Sequence, residues 1–250
     1  MIKAENINKS FGDIQILHDI SVVFKSGKKN LVIGKSGSGK TVLIKCLIGL
    51  HKPDTGRIYF DDREFTGMNK YEVKSLRTEI GMLFQANALF DSMTVKENVL
   101  FPLRMFSDMT AKEQSERADF CVDRVGLKEA SAQLPAEISG GMQKRAAIAR
   151  AIALNPRYLF CDEPNSGLDP YTAVVIDKLI AEITEEFNIT TVINTHDMNS
   201  VLEHGDYIAF IDKGHLEWSG NKDEFLNSNN EILNEFIYST EVLKRIRSTK

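Results

Sequence analysis

The chain has 250 residues, of which 42% are hydrophobic and 26% charged, a balance that excludes a disordered or fibrous protein and leaves room for one large α/β domain or a core with an inserted subdomain. Lys and Arg number 31 against 35 Asp and Glu, a net charge of −4, so the summed field does not favour a nucleic-acid partner. Cys46, Cys121 and Cys161 are too widely spaced for a CxxC or Cys/His ligand pair and read as reduced core thiols; no apolar run approaches the roughly 18 residues of a bilayer span, and the start Met1-Ile2-Lys3-Ala4-Glu5-Asn6 lacks a signal peptide's apolar region, so the expected location is the cytosol.

In chain order, Ile20, Val22 and Phe24 alternate with polar neighbours, as do Ile58 and Phe60 after Thr55-Gly56. This period predicts antiparallel strands with one wet face, a small edge sheet. Leu31 to Ile33 is instead a continuous apolar run, as are Tyr158 to Cys161 and Val192 to Ile193; these predict strands covered on both faces at the centre of a parallel sheet. No strand signal intervenes between about Ala86 and Arg150, which predicts a mostly helical insert between two halves of an α/β nucleotide core. Within it Thr110 and Glu113 form a capping box, Ala118, Cys121, Val122 and Val125 a buried stripe, and Gly126 a left-handed stop. Asp169 caps a crossover helix with Pro170 in its first turn and Ile176, Leu179, Ile180, Ile183 and Phe187 on one face. After Gly220, Phe225, Leu226, Ile232, Leu233, Phe236, Ile237, Val242, Leu243 and Ile246 recur at near-helical spacing towards a basic end, Lys244, Arg245, Arg247 and Lys250.

Three segments carry chemistry. Gly34-Lys35-Ser36-Gly37-Ser38-Gly39-Lys40-Thr41 follows an apolar strand and precedes the helical run Val42, Leu43, Ile44, Leu47, Ile48, the context that a P-loop requires. Its glycines let backbone N–H groups turn inward around phosphate oxygens, Lys40 reaches the β/γ-phosphates, and Thr41 serves Mg²⁺. Asp162 and Glu163 end an apolar strand with side chains pointing opposite ways; Asp162 suits Mg²⁺ and Glu163 suits a general base for attacking water. Ser139-Gly140-Gly141, before the helical run from Lys144 to Leu154, reads either as a simple N-cap or as a second anion cradle.

The order of these elements resembles the ATP-binding cassette ATPases over essentially the whole chain, from about Ile2 to Gly220. Gly34 to Thr41 matches Walker A, Gln85 the Q-loop, Ile138 to Met142 the signature, Leu159 to Glu163 Walker B, Ser166-Gly167-Leu168-Asp169 the D-loop and His196 the H-loop. The resemblance implies an α/β P-loop NTPase fold: a RecA-like mostly parallel core with an antiparallel β subdomain over 1–85 and 151–222, an inserted α-helical subdomain with the signature over 86–150, and a C-terminal helical tail over 223–250. It further implies ATP and Mg²⁺ as cofactors and a head-to-tail dimer that holds each ATP between Walker A of one copy and Ser139, Gly140 and Gly141 of the other. Carried over residue by residue, Phe11 stacks on adenine, Gln85 touches Mg²⁺ or the attacking water, His196 contacts the γ-phosphate and Asp169 acts across the dimer. Met142 stands where the family usually has Gln and Gly167 where Ala is common; neither change removes a group that bonds the γ-phosphate.

An isolated cassette drives transport by docking on a separate integral membrane permease. The apolar segment after Gln85 is therefore read equally as partner site or as helical core. Ala88 to Val95, Asn98-Val99 and Phe101-Pro102-Leu103-Arg104, with the Ser-Gly-Gly-Met signature, are similar to Mla-type phospholipid transporters, which implies an Mce-domain lipid-binding partner and a place on the cytoplasmic face of the inner membrane. Lipoprotein-release, cell-division and amino-acid-import cassettes share most of these motifs. A soluble cassette acting on DNA or ribosomes is disfavoured by the charge, and a catalytically dead sensor by the presence of Lys40, Asp162, Glu163 and His196. The tail is expected to meet the partner cassette, with local packing or an anionic membrane surface as alternatives.

Overall fold

Residues 1–238 are described by a computed structural model, so the tail residues Val242 to Lys250 lie outside the described residues. Two compact units emerge. The first is Met1–Lys25, Lys29–Gly67 and the stretch from Asn194; the second is Ser26–Lys28 with Met68–Ile193.

In the first unit, β1 (Ile2–Phe11) lies between β2 (Ile14–Phe24) and β4 (Thr55–Phe60), antiparallel to both, and β5 (Arg63–Glu64) extends the sheet beyond β4. Ile2 faces Phe24 on one side and Phe60 on the other, and Ala4 faces Val22 and Ile58; all six are buried. The alternation read from the sequence is this single covered face. A second set of strands in the same unit places β3 (Lys29–Ile33), buried throughout, parallel to β9 (Tyr207–Asp212), with β10 (His215–Asn221) antiparallel to β9. Lys213 (φ 46°) and Gly214 (φ 79°) make the two-residue turn between β9 and β10, where a left-handed pair matches strand twist. A Cβ at Gly214 would lie 2.2 Å from the Ile16 carbonyl oxygen, so the glycine also permits close approach to β2.

Helix α1 (Lys40–Leu47) follows β3, and α7 (Met198–His204) follows β8 (Thr190–Thr195), the strand that carries the chain from the second unit into the first. After β10 the spacing read as helical resolves into two short helices, α8 (Lys222–Leu226) and α9 (Glu231–Ile237), each started by an asparagine cap, Asn221 and Asn230. They bury Phe225, Leu233 and Ile237, and Phe236 stacks on Phe210 of β9 with centroids 5.1 Å apart, while Leu226 and Ile232 stay exposed.

The second unit holds β6 (Ile80–Leu83) parallel to the wholly buried β7 (Tyr158–Asp162). Among the described residues no strand lies between them in sequence. The interval carries α3 (Val95–Phe106), α4 (Ala111–Arg124) and α5 (Gly140–Ala151), with α2 (Lys70–Thr78) before β6 and α6 (Pro170–Glu186) after β7. The Thr110/Glu113 box forms at the start of α4, and the same device, unread in the sequence, recurs at Thr94/Glu97 and Asn69/Glu72. Segment 86–150 falls wholly within this unit, together with β6, β7 and α6.

Candidate functional site

The first unit presents the glycine loop. The chain leaves β3 at Gly34 (φ 153°), turns at Gly37 (φ 78°) and enters α1 through Gly39 (φ 104°). A Cβ at Gly34 would sit 2.1 Å from the Ile211 carbonyl oxygen, whereas at Gly37 it would meet open space. One glycine is thus required by packing and the other shapes the open mouth of the cradle. The Ser38 carbonyl accepts the Gly214 N–H at 3.0 Å, bracing the loop on the β9–β10 turn. Lys35, Ser36 and Gly37 are exposed, while Lys40 is buried and its ammonium donates to the carbonyls of Gly34 and Lys35 at 2.9 Å each. Thr41, at the start of α1, accepts a hydrogen bond on Oγ1 from Asn194 Nδ2 at 3.1 Å; Asn194 is fully buried near the end of β8, and His196, exposed, follows it by two residues. Phe11 ends β1 at 46% exposure, edge-on to His51, with the Lys9 ammonium 5.3 Å from its ring centroid. A core phenylalanine would not be so open.

The second unit brings together Gln85 and Glu163. Gln85 Nε2 donates to Glu163 Oε2 at 3.0 Å and to Ser166 Oγ at 3.3 Å, joining three residues from two loops. Glu163 sits in the left-handed region (φ 47°), strained backbone of the kind that persists where surroundings hold it, and Asp162 before it is buried at the end of β7. At the start of α5, Ser139 Oγ accepts the Met142 N–H at 3.2 Å, so the cap geometry is present; Ser139 and Gly140 remain exposed at a helix N-terminus. A Cβ at Gly141 would meet the Thr172 methyl at 2.6 Å. Thr172 in turn donates its hydroxyl and its N–H to Asp169, which caps α6, and these bonds hold the Asp169 carboxyl below its ordinary pKa. The signature glycine and Asp169 therefore share one threonine.

Sequence reasoning missed four contributors. Asn194 could have been found, because an asparagine inside a buried strand must have a partner. Lys144 and Arg150 bond to main-chain carbonyls far away in the chain, and Asn98 to those of Phe90, Met93 and Thr94 just before it; a carbonyl partner leaves no signal in the sequence.

A glycine loop between a buried strand and a helix N-terminus, with Lys40 and Thr41 inside it and two carboxylates at the end of another buried strand, defines a P-loop nucleoside triphosphatase. Residues 17–166 match the family described as ABC transporter, and the chain belongs to that family. It is similar to the probable ribonucleotide transport ATP-binding protein mkl of Mycobacterium tuberculosis H37Rv, 36% identical over 239 residues that cover 94% of this chain and 66% of that one, so the chain spans somewhat less than two thirds of that relative. It is also similar to the methionine import ATP-binding protein MetN of Haemophilus influenzae Rd, 41% identical over 245 residues covering 96% and 71% of the two chains. Among solved structures, the dimeric post-hydrolysis cassette MJ0796 bound to ADP and Pi superposes with a TM-score of 0.81 at 32% identity, covering 89% of this chain and 99% of that one. CbiO1 of Clostridium perfringens, part of the ABC transporter complex cbiONQ, gives 0.84 at 28% identity and 98% of both chains.

ATPase domains of this family bind ATP with Mg²⁺ and hydrolyse it, and this chain carries one. The residue types fit those cofactors: the open glycine cradle of the first unit suits phosphate oxygens, and hydroxyl and carboxylate oxygens such as those of Thr41 in the first unit and Asp162 in the second are of the kind that Mg²⁺ takes. Among the described residues no helix is long and apolar enough to cross a membrane.

Proposed function

We propose that this chain is the ATP-hydrolysing subunit of a transporter whose permease is a separate membrane chain. Two copies pair head to tail, each ATP held between Gly34–Thr41 of one copy and Ser139–Gly141 of the other. The domain reading that goes with this is a nucleotide core of 1–85 and 151–222, a helical subdomain of 86–150 and a tail of 223–250. The observation that carries the proposal is the bond from Gln85 to Glu163, which joins the residue opening the helical segment to the carboxylate suited to hydrolysis. Chemistry at one end of this contact is felt at the other.

In this reading Lys40 and the loop amides would bind the β- and γ-phosphates, Phe11 would stack on adenine, Thr41 and Asp162 would hold Mg²⁺, and Gln85 would touch Mg²⁺ or the attacking water. Bound Mg²⁺ supplies charge neutralisation on the phosphate oxygens. Glu163 orients the attacking water and takes its proton as the oxygen bonds to the γ-phosphorus and ADP departs. His196 donates to the γ-phosphate, and Asp169 acts across the dimer.

A cavity of about 580 Å³ in the second unit, walled by Met68, Val73 and Phe106 and rimmed by Lys70, Lys74 and Arg77, is the place where the permease would seat; Tyr71 and Met105 beside it are exposed. The cargo proposed is phospholipid, with an Mce-domain protein as further partner and the assembly on the cytoplasmic face of the inner membrane. The likeness of segment 88–104 and of the Ser-Gly-Gly-Met signature to Mla-type cassettes supports this. Import of an amino acid is the second reading, favoured by the identity to MetN. Copurification decides between them: a tagged Glu163→Gln chain, taken gently from native membranes, is expected to bring a permease, an Mce-domain protein and phospholipid. An amino-acid permease would overturn the lipid reading and keep the motor; ribosomes or DNA would overturn both.

A further inference from the structure

Helix α5 does more than present Ser139–Gly141 at its N-terminus. Lys144, 1% exposed, donates from Nζ to the Gln85 carbonyl at 2.9 Å. Six residues further along the same helix, the Arg150 guanidinium donates to the carbonyls of Ala88 at 2.6 Å and Asn87 at 2.7 Å. Asn87 (φ 61°) and Ala88 (φ 51°) are consecutive left-handed residues; asparagine tolerates that conformation, but alanine rarely adopts it without outside help. Three carbonyls of one four-residue turn are thereby taken by two cations of α5. Water could satisfy carbonyls in an exposed turn, and burying an ammonium against a neutral carbonyl is unfavourable, since no opposite charge compensates its lost hydration. Burial indeed pushes the Lys144 and Arg150 pKa values down. An arrangement that opposes stability and orders a strained turn next to Gln85 calls for a role in placing Gln85.

We infer that Lys144 and Arg150 are positioning residues that strap the main chain of Gln85–Ala88 to α5, so that the Gln85 carboxamide keeps its place against Glu163 and Ser166. The inference rests on the proposed hydrolytic roles of Gln85 and Glu163. Its consequence is directional: the helix that begins at the signature also holds the glutamine, so a displacement of α5 at Ser139–Gly141 is passed to Gln85 through main-chain bonds.

The test uses the purified full chain. Lys144→Met keeps the apolar stem and most of the side-chain length and removes the donor. Amide hydrogen exchange at residues 85–90 is expected to speed up about tenfold or more, while α5 keeps its protection. In MgATP turnover kcat is expected to fall on the order of 10- to 100-fold, with KM changed by less than about twofold because the glycine loop is untouched. Gln85→Ala should show a similar loss, and the Gln85→Ala/Lys144→Met double variant no further one, since both remove the same placement. Arg150→Lys, which keeps a cation and a donor, should recover most of the kcat lost in Arg150→Met. Unchanged exchange at 85–90, or losses that multiply in the double variant, overturn the strap. Should Lys144→Met not fold, the Arg150 pair is read in the same assays. If Gln85→Ala turns over normally, the hydrolytic reading of Gln85 fails and the inference with it; if Gln85→Ala is slow while Lys144→Met and Arg150→Met are not, only the strap is overturned.

Discussion

Asn98 offers a quantitative test of how the segment after Gln85 is held. It is fully buried on α3, accepts the Phe90 N–H on Oδ1 at 2.8 Å, and donates from Nδ2 to the carbonyls of Phe90 (3.2 Å), Met93 (3.0 Å) and Thr94 (3.1 Å). Asn98→Ala removes all four bonds, but their losses are unequal. The Phe90 carbonyl still accepts the Met93 N–H and the Thr94 carbonyl still accepts the Asn98 N–H, so the groups stripped of a partner are the Phe90 N–H and the Met93 carbonyl. At about 1–3 kcal/mol for each unsatisfied buried group, reduced because Phe90 is part exposed, the expected cost is about 2–3 kcal/mol. Urea unfolding with an unchanged m-value measures it. A loss under about 0.5 kcal/mol would mean that water replaces the carboxamide and that the loop is not pinned by Asn98.

Asn98→Asp sharpens the same argument. It keeps the acceptor for Phe90 N–H and turns a carboxylate towards three carbonyl oxygens, so the native state binds its proton more tightly than the unfolded chain does. A raised native pKa means stability falls with rising pH, by up to about 1.4 kcal/mol per pH unit, between the unfolded and native values. Asn98→Asp should therefore be less stable than Asn98→Ala at pH 8 and recover on acidification towards pH 5; a pH-independent difference would refute the geometry.

Glu163→Gln is expected to retain ATP binding and to slow hydrolysis by about 10²-fold or more, whereas Lys40→Ala should lose affinity in a fluorescent-nucleotide titration; normal turnover in the first or normal affinity in the second contradicts the assigned roles. Gly214→Ala places a Cβ 2.2 Å from the Ile16 oxygen at φ 79° and should cost at least about 2 kcal/mol in urea unfolding, a near-neutral result arguing against tight apposition of the β9–β10 turn and β2. Glu97 is held below its ordinary pKa by the Thr94 N–H, and Glu113 by the Thr110 hydroxyl and N–H. Their folded values being depressed, the stability they contribute is present above about pH 4.3 and is lost as pH falls through those values. The Glu97→Gln/Glu113→Gln variant should flatten that part of the acid-unfolding profile, and an unaltered profile would show that the boxes contribute nothing.

The parts legible in the sequence are those whose cause is local. Gly34 to Thr41 carries its own conformational demands, Asp169-Pro170 its own cap, and Thr110/Glu113 its own box; each forms within a few residues of chain. Helix α2 escaped despite a box of the same kind, Asn69/Glu72, because it buries only Leu76 and so shows no apolar stripe. Strand β9 escaped although Ile208 to Ile211 is a continuous apolar run of the same kind as Leu31 to Ile33, and the same rule could have found it. Lys144 and Arg150 were unreadable for a different reason: their partners are carbonyls about 60 residues away, and every residue has a carbonyl.

All three cysteines are buried, and burial pushes Cys46 and Cys121 up to about 11 and Cys161 further still. Because the thiolate is the reacting species, the folded chain should be nearly silent towards maleimide dyes at neutral pH. Two practical gains follow. A cysteine introduced at an exposed site can be labelled on the native background without first deleting the natural ones, which makes a distance measurement that tests the proposed pairing of two copies straightforward to set up. And the slow labelling of the native thiols themselves becomes a clock for how often each region opens, with Cys46 reporting on the helix after the glycine loop, Cys121 on α4 and Cys161 on β7.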